Sequence, residues 1–296
     1  MKDLNVVHYV ASNLWAMLPS KMHELLSVLA RHAAGHYLTP EEIRARLGDD
    51  PPERAEASQK GAVAVVPLRG VIAHRMGSMD EMSGGTSVER FQVMFRAALN
   101  SEGIAAILLD VDSPGGTIPG VMEMAAEVLA ARGKKPIIAH ANSIMASAAY
   151  WLASAADQIV ATPSGLVGSI GVFTVHEDLS KLLEQEGVKV SLISAGKFKT
   201  EGNPFEPLTD EGRAFLQGRV DEAYDQFVKA VAKGRSVAPT DVRKGFGEGR
   251  ALPAKDALAA GLIDKIGTFD ETVARLLPRK SSGARAELSE WALRLR

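Results

Sequence analysis

Ile104-Ala105-Ala106-Ile107-Leu108-Leu109-Asp110-Val111-Asp112-Ser113-Pro114-Gly115-Gly116 is a nearly unbroken apolar run that closes on a glycine pair. An apolar stretch this short, bounded by turn residues, predicts a strand over 104–111 that is buried on both faces. Asp-Ser-Pro-Gly-Gly then reads as the turn that closes it, because paired glycines permit unusual dihedrals and close backbone approach. Residues 118–131 carry helical spacing and 136–141 are apolar again. Strand, helix, strand in that order predicts a parallel βαβ unit.

The same alternation extends both ways. Upstream, 62–66 and 70–72 read as strand broken at Pro67, and Thr86-Ser87-Val88-Glu89 as a capping box opening a helix to Leu99. Downstream, a helix is predicted from about Ser147, then strands over 158–161 and 170–175, a helix over 179–186 and a strand over 188–194. Thr209-Asp210-Glu211 opens a long helix to about Lys233, with Phe215, Val220, Ala223, Phe227, Val228 and Val231 as its apolar positions. A short helix over 254–261 and an edge strand over 262–266 complete the α/β pattern.

The ends differ in character. Residues 5–47 read as helical, with Leu25, Leu26 and Leu29 on one stripe and Thr39-Pro40 as a helix start. Gly48-Asp49-Asp50-Pro51-Pro52 lacks periodicity. The expected organisation is a helical N-terminal extension (1–47), a linker (48–60), a main domain (61–278) and a loosely ordered tail (279–296) carrying a last short helix.

Composition narrows the function. The 296 residues are 46% hydrophobic and 24% charged, with a net charge of −2, so no general nucleic-acid binder is expected. There are no cysteines, which excludes disulfides, cysteine nucleophiles and thiolate metal sites. The first residues carry an early acid and no continuous apolar core, so no signal peptide is expected, and no apolar stretch approaches the roughly 18–20 residues that span a bilayer. The expectation is a soluble, cytoplasmic protein. Seven histidines show no metal-ligand spacing, and neither a P-loop nor a dinucleotide fingerprint occurs. No metal and no cofactor are expected.

Chemistry concentrates around two residues. Ser147, in Met145-Ala146-Ser147-Ala148-Ala149-Tyr150-Trp151, is read at a strand-to-helix turn, where its hydroxyl could be exposed beside the first helical amides. The same pattern also describes a helix N-cap. Lys199, in Gly196-Lys197-Phe198-Lys199-Thr200, is either a solvated loop lysine or, if buried, a neutral amine able to deprotonate a serine. Spacing does not choose between Lys199 and Lys197. The Gly115/Gly116 turn could supply an oxyanion donor, and Ser169, in Gly168-Ser169-Ile170-Gly171, could bond the lysine amine. His140 is a competing base.

Asp-Ser-Pro-Gly-Gly at 112–116, Ala-Ser-x-x-Tyr at 146–150, Gly-Ser-Ile-Gly-Val at 168–172 and Gly-Lys-Phe-Lys-Thr with Asn203-Pro204-Phe205 at 196–205 occur in this order. Together with Ala257-Leu258-x-x-Gly261-Leu262-Ile263-Asp264, they resemble the signal peptide peptidase A family of serine peptidases over about 61–270. The resemblance implies a ClpP/crotonase-like fold, a repeated ββα/βαβ core with mostly parallel sheets. It also implies Ser147 as nucleophile and Lys199, the lysine preceding Pro-Phe, as general base. Gly115, Gly116 and Ala148 would serve as oxyanion donors and Ser169 as the residue orienting the amine. Ser-Ala-Ala-Tyr stands where many members have Ser-Gly-Gly-Tyr, which narrows the path beside the nucleophile. That form, with the absent anchor and the N-terminal extension, resembles the phage and prophage minor capsid protein branch of head-maturation proteases.

The resulting expectation is a Ser-Lys endopeptidase that processes capsid scaffold or portal-associated polypeptides in assembling proheads. It would work as a homo-oligomeric ring, with no nucleic acid and no membrane span. A signal-peptide-degrading peptidase and a non-catalytic assembly protein retaining the fold are the alternatives. A crotonase-type acyl-CoA enzyme is a more distant one.

Overall fold

The strand that opens the sequence reading runs further than its apolar residues. In the structure, a computed structural model that describes residues 13–33, 56–76 and 84–277, it spans Ala106–Thr117 and includes the whole Asp-Ser-Pro-Gly-Gly segment. The predicted turn is therefore strand. Pro114 can sit there because the strand accepts a bond at its carbonyl, from the Leu18 N–H at 2.9 Å, without needing to donate one.

In chain order the elements begin with β1 (Trp15–Met17), α1 (Pro19–Ala33), β2 (Ser58–Lys60), β3 (Val63–Ala73), β4 (Thr86–Ser87), α2 (Val88–Asn100) and β5 (Ala106–Thr117). Next come α3 (Val121–Ala130), β6 (Ile137–Ala146), α4 (Ala148–Ala153), β7 (Gln158–Ala161), β8 (Leu166–Gly168) and α5 (Ser180–Gln185). The last are α6 (Asp210–Arg235), α7 (Pro239–Gly245), β9 (Ala251–Pro253), α8 (Ala254–Ala259), β10 (Lys265–Ile266) and α9 (Phe269–Leu276). This is a mixed α/β fold on one mostly parallel sheet, with main order β10-β7-β6-β5-β3-β2.

Two irregularities organise the sheet. Register shifts occur between Arg69 and Val71 and between Val111 and Ser113. Before them, β5 lies between β3 and β6, with Leu109 opposite both Val66 and Ala139. Beyond them the partners change. β6 pairs with β8 through Ala146↔Gly168, β8 pairs antiparallel with β9, and β1 takes a place beside the end of β5.

Alternation along the strands separates two cores. Ile107, Leu109, Ile137 and Ala139 face a large cluster that includes residues of α2, α3, α4 and α6. Leu108, Ile138 and Val160 face the other way, where α9 supplies Val273. Helix α4 is fully buried over all six residues. Its Trp151 stacks on Phe227 of α6 at 4.5 Å, and the Tyr150 hydroxyl donates to Leu262 O at 2.8 Å.

Several expectations differ from the structure for physical reasons. Residues 15–17 are strand, not helix, because the free edge of β5 offers them hydrogen bonds. Ser87 precedes α2 without a side-chain cap bond, so the capping box does not form. Residues 170–175 contribute only an isolated bridge, Trp15↔Phe173. Residues 188–194 are not strand: the alternation is present, but among the described residues no edge pairs with them. The predicted helix start at Thr39, the first part of the linker and the C-terminal tail lie outside the described residues.

Candidate active site

Ser147 stands between β6 and α4 with φ 57° and ψ −118°. A non-glycine residue rarely adopts positive φ, and holding one there costs about 1–3 kcal/mol. The geometry arises because the chain must turn from strand into helix within one residue. On one side the Ser147 N–H donates to Gly168 O at 2.7 Å. On the other, the Trp151 N–H bonds back to Ser147 O at 2.9 Å. The hydroxyl has one long contact, to Gly171 O at 3.4 Å. Alanine at 146, 148 and 149 lets these strands and the helix close around it; all three are fully buried.

The glycine pair lies against this turn. A Cβ on Gly115 would sit 3.0 Å from Ser147 Cβ, and one on Gly116 would sit 1.8 Å from Ile72 O. Only glycine fits either position. The two amides are not equivalent. The Gly115 N–H donates to Ser113 Oγ at 3.1 Å, while Ser113 itself donates to Gly70 O at 2.6 Å. With the Ser147 amide also committed, the Gly116 N–H and the first amide of α4, at Ala148, are the ones beside the turn not bonded to these groups.

Ser169 follows directly on the carbonyl that holds Ser147. It too has positive φ, 54°, is buried, and donates its N–H to Arg250 O at 2.9 Å. The structure thus gathers Ser147, Ala148, Gly115, Gly116 and Ser169 at one corner of the sheet. Lys199 is not brought to them. It is exposed in the 196–205 loop, which is tied down by His176 Nε2 to Asn203 O at 3.2 Å and by the Leu179 N–H to Pro204 O at 2.8 Å. Lys197 is engaged elsewhere, 3.1 Å from Glu211 and over the Phe198 ring at 4.5 Å. A cavity of about 580 Å³ begins at Val172, beside the serine's acceptor Gly171, and runs past Phe173 and His176 to Leu216 on α6.

His140 lies on the other side of the sheet. Its ring is buried, with Nδ1 3.2 Å from Thr272 Oγ1 and Phe269 edge-on at 5.5 Å. Burial lowers its pKa from the ordinary value to about 4, against the opposing pull of Asp110 and with a smaller push from Arg275. Its side chain points toward α9, away from the face that carries α4.

Two participants in this corner escape the sequence reading. One is the Ser113 hydroxyl, which orders the glycine pair. The other is β1, which pairs with Gly115–Thr117. Pro19 was the available signal, since a proline opening a helix disfavours helical backbone in the residue before it.

Residues 130–281, just over half of the chain, match Peptidase family S49. The chain belongs to that family. Among its relatives, capsid assembly protease C of Escherichia phage lambda is 32% identical over 246 residues, covering 81% of this chain and 56% of its own length. The head-tail preconnector protein GP5 of Enterobacteria phage P21 is 34% identical, covering 75% of this chain and 44% of its own. Protease 4 of Haemophilus influenzae is 32% identical over 71% of this chain and 34% of its own. The chain therefore spans about half, or less, of these relatives. Ser147, Ala148, Ser169 and Lys199 fall inside the matched family segment, whereas Gly115 and Gly116 precede it.

Proposed function

We propose that this chain is a serine endopeptidase with Ser147 as nucleophile and Lys199 as general base, acting on scaffold or portal-associated polypeptides of phage head assembly. The observation that carries the reading is the backbone of Ser147. A serine held at φ 57°, against glycines that tolerate no side chain, matches the strain that accumulates at catalytic turns. The Gly116 and Ala148 amides suit the developing oxyanion. Lys199 is favoured over Lys197 because Glu211 holds Lys197. Two phage assembly proteins among the relatives support the substrate class.

In the reaction, neutral Lys199 takes the proton of Ser147 Oγ as the oxygen attacks the scissile carbonyl. The C–N bond then breaks, and the lysine ammonium returns that proton to the departing amine. A water deprotonated by the same lysine attacks the acyl-enzyme and frees Ser147. Lys199 is exposed where it stands, so the 196–205 loop must close over Ser147, and desolvation would then weaken the amine's hold on its proton. A homo-oligomeric ring provides that cover. The arm leading to Lys199 leaves Ile193 99% and Phe198 54% exposed, surface that a second copy would bury. On this reading the peptidase unit is 61–278, preceded by an extension (1–47) and linker (48–60) and followed by a tail (279–296), at work in the cytoplasm within assembling proheads. Among the described residues no helix is long and apolar enough to cross a membrane.

Casein or scaffold cleavage tests the dyad. Ser147→Ala and Lys199→Ala are each expected to lower kcat roughly a thousandfold or more, while His140→Ala keeps activity. Full activity in Lys199→Ala sinks the dyad. A wild type that assembles with scaffold but cuts nothing makes the chain an assembly protein.

A further inference from the structure

The edge of β5 beside Ser147 is covered by the chain itself. Residues 13–18 run along it, as strand over Trp15–Met17, and are bonded on both sides. On one side β1 pairs antiparallel with the glycine segment, Trp15↔Thr117, Ala16↔Gly116 and Met17↔Gly115, and the Leu18 N–H donates to Pro114 O at 2.9 Å. On the other, Trp15 and Phe173 exchange both backbone bonds, at 2.8 and 3.0 Å, and Thr174 Oγ1 donates to Asn13 O at 3.1 Å.

Register decides where the carbonyls point. Hydrogen-bonded pairs alternate along an antiparallel ladder. With Leu18 bonded to Pro114, the next such pair is Ala16 and Gly116, which directs the Ala16 carbonyl to the Gly116 N–H. The packing agrees: a Cβ on Gly115 would lie 2.2 Å from Ala16 O and 3.0 Å from Ser147 Cβ. A peptide carbonyl thus faces the amide proposed for the oxyanion, on the side of Gly115 that the Ser147 side chain also approaches. The side chains alternate as well. Ala16 is enclosed in the main core, while Trp15 and Met17 turn to a separate cluster with Met22, Leu26 and Phe173.

We propose that Asn13–Leu18 is the resident occupant of this protein's own substrate groove, with Ala16 in the position of the residue whose carbonyl is attacked. The substrates that displace it are extended segments presenting a small residue flanked by bulky apolar ones. This rests on the peptidase reading for the role of Ser147, but the occupancy itself is a binding property. A tethered occupant lowers the apparent affinity of any external peptide by the fraction of groove left open. The groove therefore stays closed to casual substrates and opens to polypeptides delivered at high local concentration.

The test uses a fluorescein-labelled peptide of residues 11–20 and the full chain carrying Ser147→Ala, so that binding is read without turnover. Adding Trp15→Gly, which loosens the strand, is expected to tighten peptide binding about tenfold, as follows if the strand occupies the groove about nine-tenths of the time. Met17→Leu, a milder change confined to the resident strand, should tighten it roughly two- to threefold. A peptide carrying Ala16→Trp should not bind. In the chain with Ser147 intact, Trp15→Gly should lower KM for an unrelated reporter at unchanged kcat, and mass spectrometry should find the 11–20 peptide cut between Ala16 and Met17. Equal peptide affinity with and without both loosening substitutions, or no binding to any form, overturns the proposal. Binding without cleavage of any substrate would overturn the peptidase reading and leave the occupancy standing. Casein cleavage without peptide binding would do the reverse.

Discussion

Ser147 concentrates the local conflict in this protein. Its backbone is held where glycine belongs, and the interactions that hold it belong to other residues: the Gly168 carbonyl, the first turn of α4 and the glycine pair. Relaxing the residue separates stability from function. Ser147→Gly removes the steric penalty of φ 57° and adds chain entropy to the unfolded state, effects of about 1–3 and about 0.5–1 kcal/mol in opposite directions. The expected outcome is a net stabilisation of about 1 kcal/mol, read as a raised midpoint in chemical denaturation, together with loss of peptidase activity. Ser147→Ala keeps the Cβ and should show the second effect without the first. A Ser147→Gly chain less stable than Ser147→Ala would remove strain from the account. The strain is invisible in the sequence, where the local pattern at Ser147 favours an ordinary N-cap; φ depends on where β6 and α4 are fixed, and distant residues fix them.

Among the elements, α4 shows how the turn at Ser147 is kept rigid. Its C-terminal end is clamped by Arg132, whose guanidinium donates to Ser154 O, Ala155 O and Ala156 O and also to Gly234 O at the end of α6. Gly234 must be glycine, since a Cβ there would lie 2.2 Å from Ser154 O. The last carbonyls of α4 are taken by Ser154, Ala155 and Ala156, and one partly buried cation satisfies the three carbonyls that follow. Arg132→Met keeps the stem but deprives all four carbonyls of their donor. We expect it to destabilise the fold by about 3 kcal/mol, measured by urea unfolding, and to weaken activity through Ser147. A change below about 0.5 kcal/mol would mean that water replaces the clamp. The elements themselves were largely legible. Residues 158–161 form β7 as their apolar run predicts, and Thr209 caps α6 with its side chain accepting from the Gly212 N–H at 3.1 Å. Residues 188–194 were not, because alternation states which faces a strand would have and says nothing about whether an edge is there to receive it.

For the molecule as a whole, His140 sets an acid limit. It is neutral when folded, with Thr272 on Nδ1, Nε2 unpartnered, Phe269 against the ring, and Asp110 and Arg275 the nearby charges. Its pKa is near 4 in the fold and 6.5 when unfolded. Below pH 6.5 the unfolded chain takes up a proton that the folded chain refuses. Stability therefore falls as pH drops from 6.5 to about 4, by about 3 kcal/mol in all, and this contribution levels off below that. Depressed carboxylates such as Asp264, paired with Arg235, add their own loss lower in pH. His140→Gln should flatten the 6.5-to-4 portion of the stability–pH curve while leaving the carboxylate portion in place. An unchanged slope would place the proton elsewhere.

From sequence alone, the α/β alternation, the mostly parallel sheet and the family could all be read, and candidate chemical groups could be named. Each is written in local apolar period or in short motifs of glycine, serine and lysine. Tertiary structure decided what those groups do to one another. It turned Asp-Ser-Pro-Gly-Gly from a turn into strand, by supplying β1 and β3 as partners. It committed the Gly115 amide to Ser113 and left Gly116 facing Ala16, placed His140 on the far face, and laid residues 13–18 beside Ser147. Backbone hydrogen bonds between segments about a hundred residues apart carry no signature in either segment, because every residue offers the same N–H and C=O; only the assembled sheet determines which of them meet.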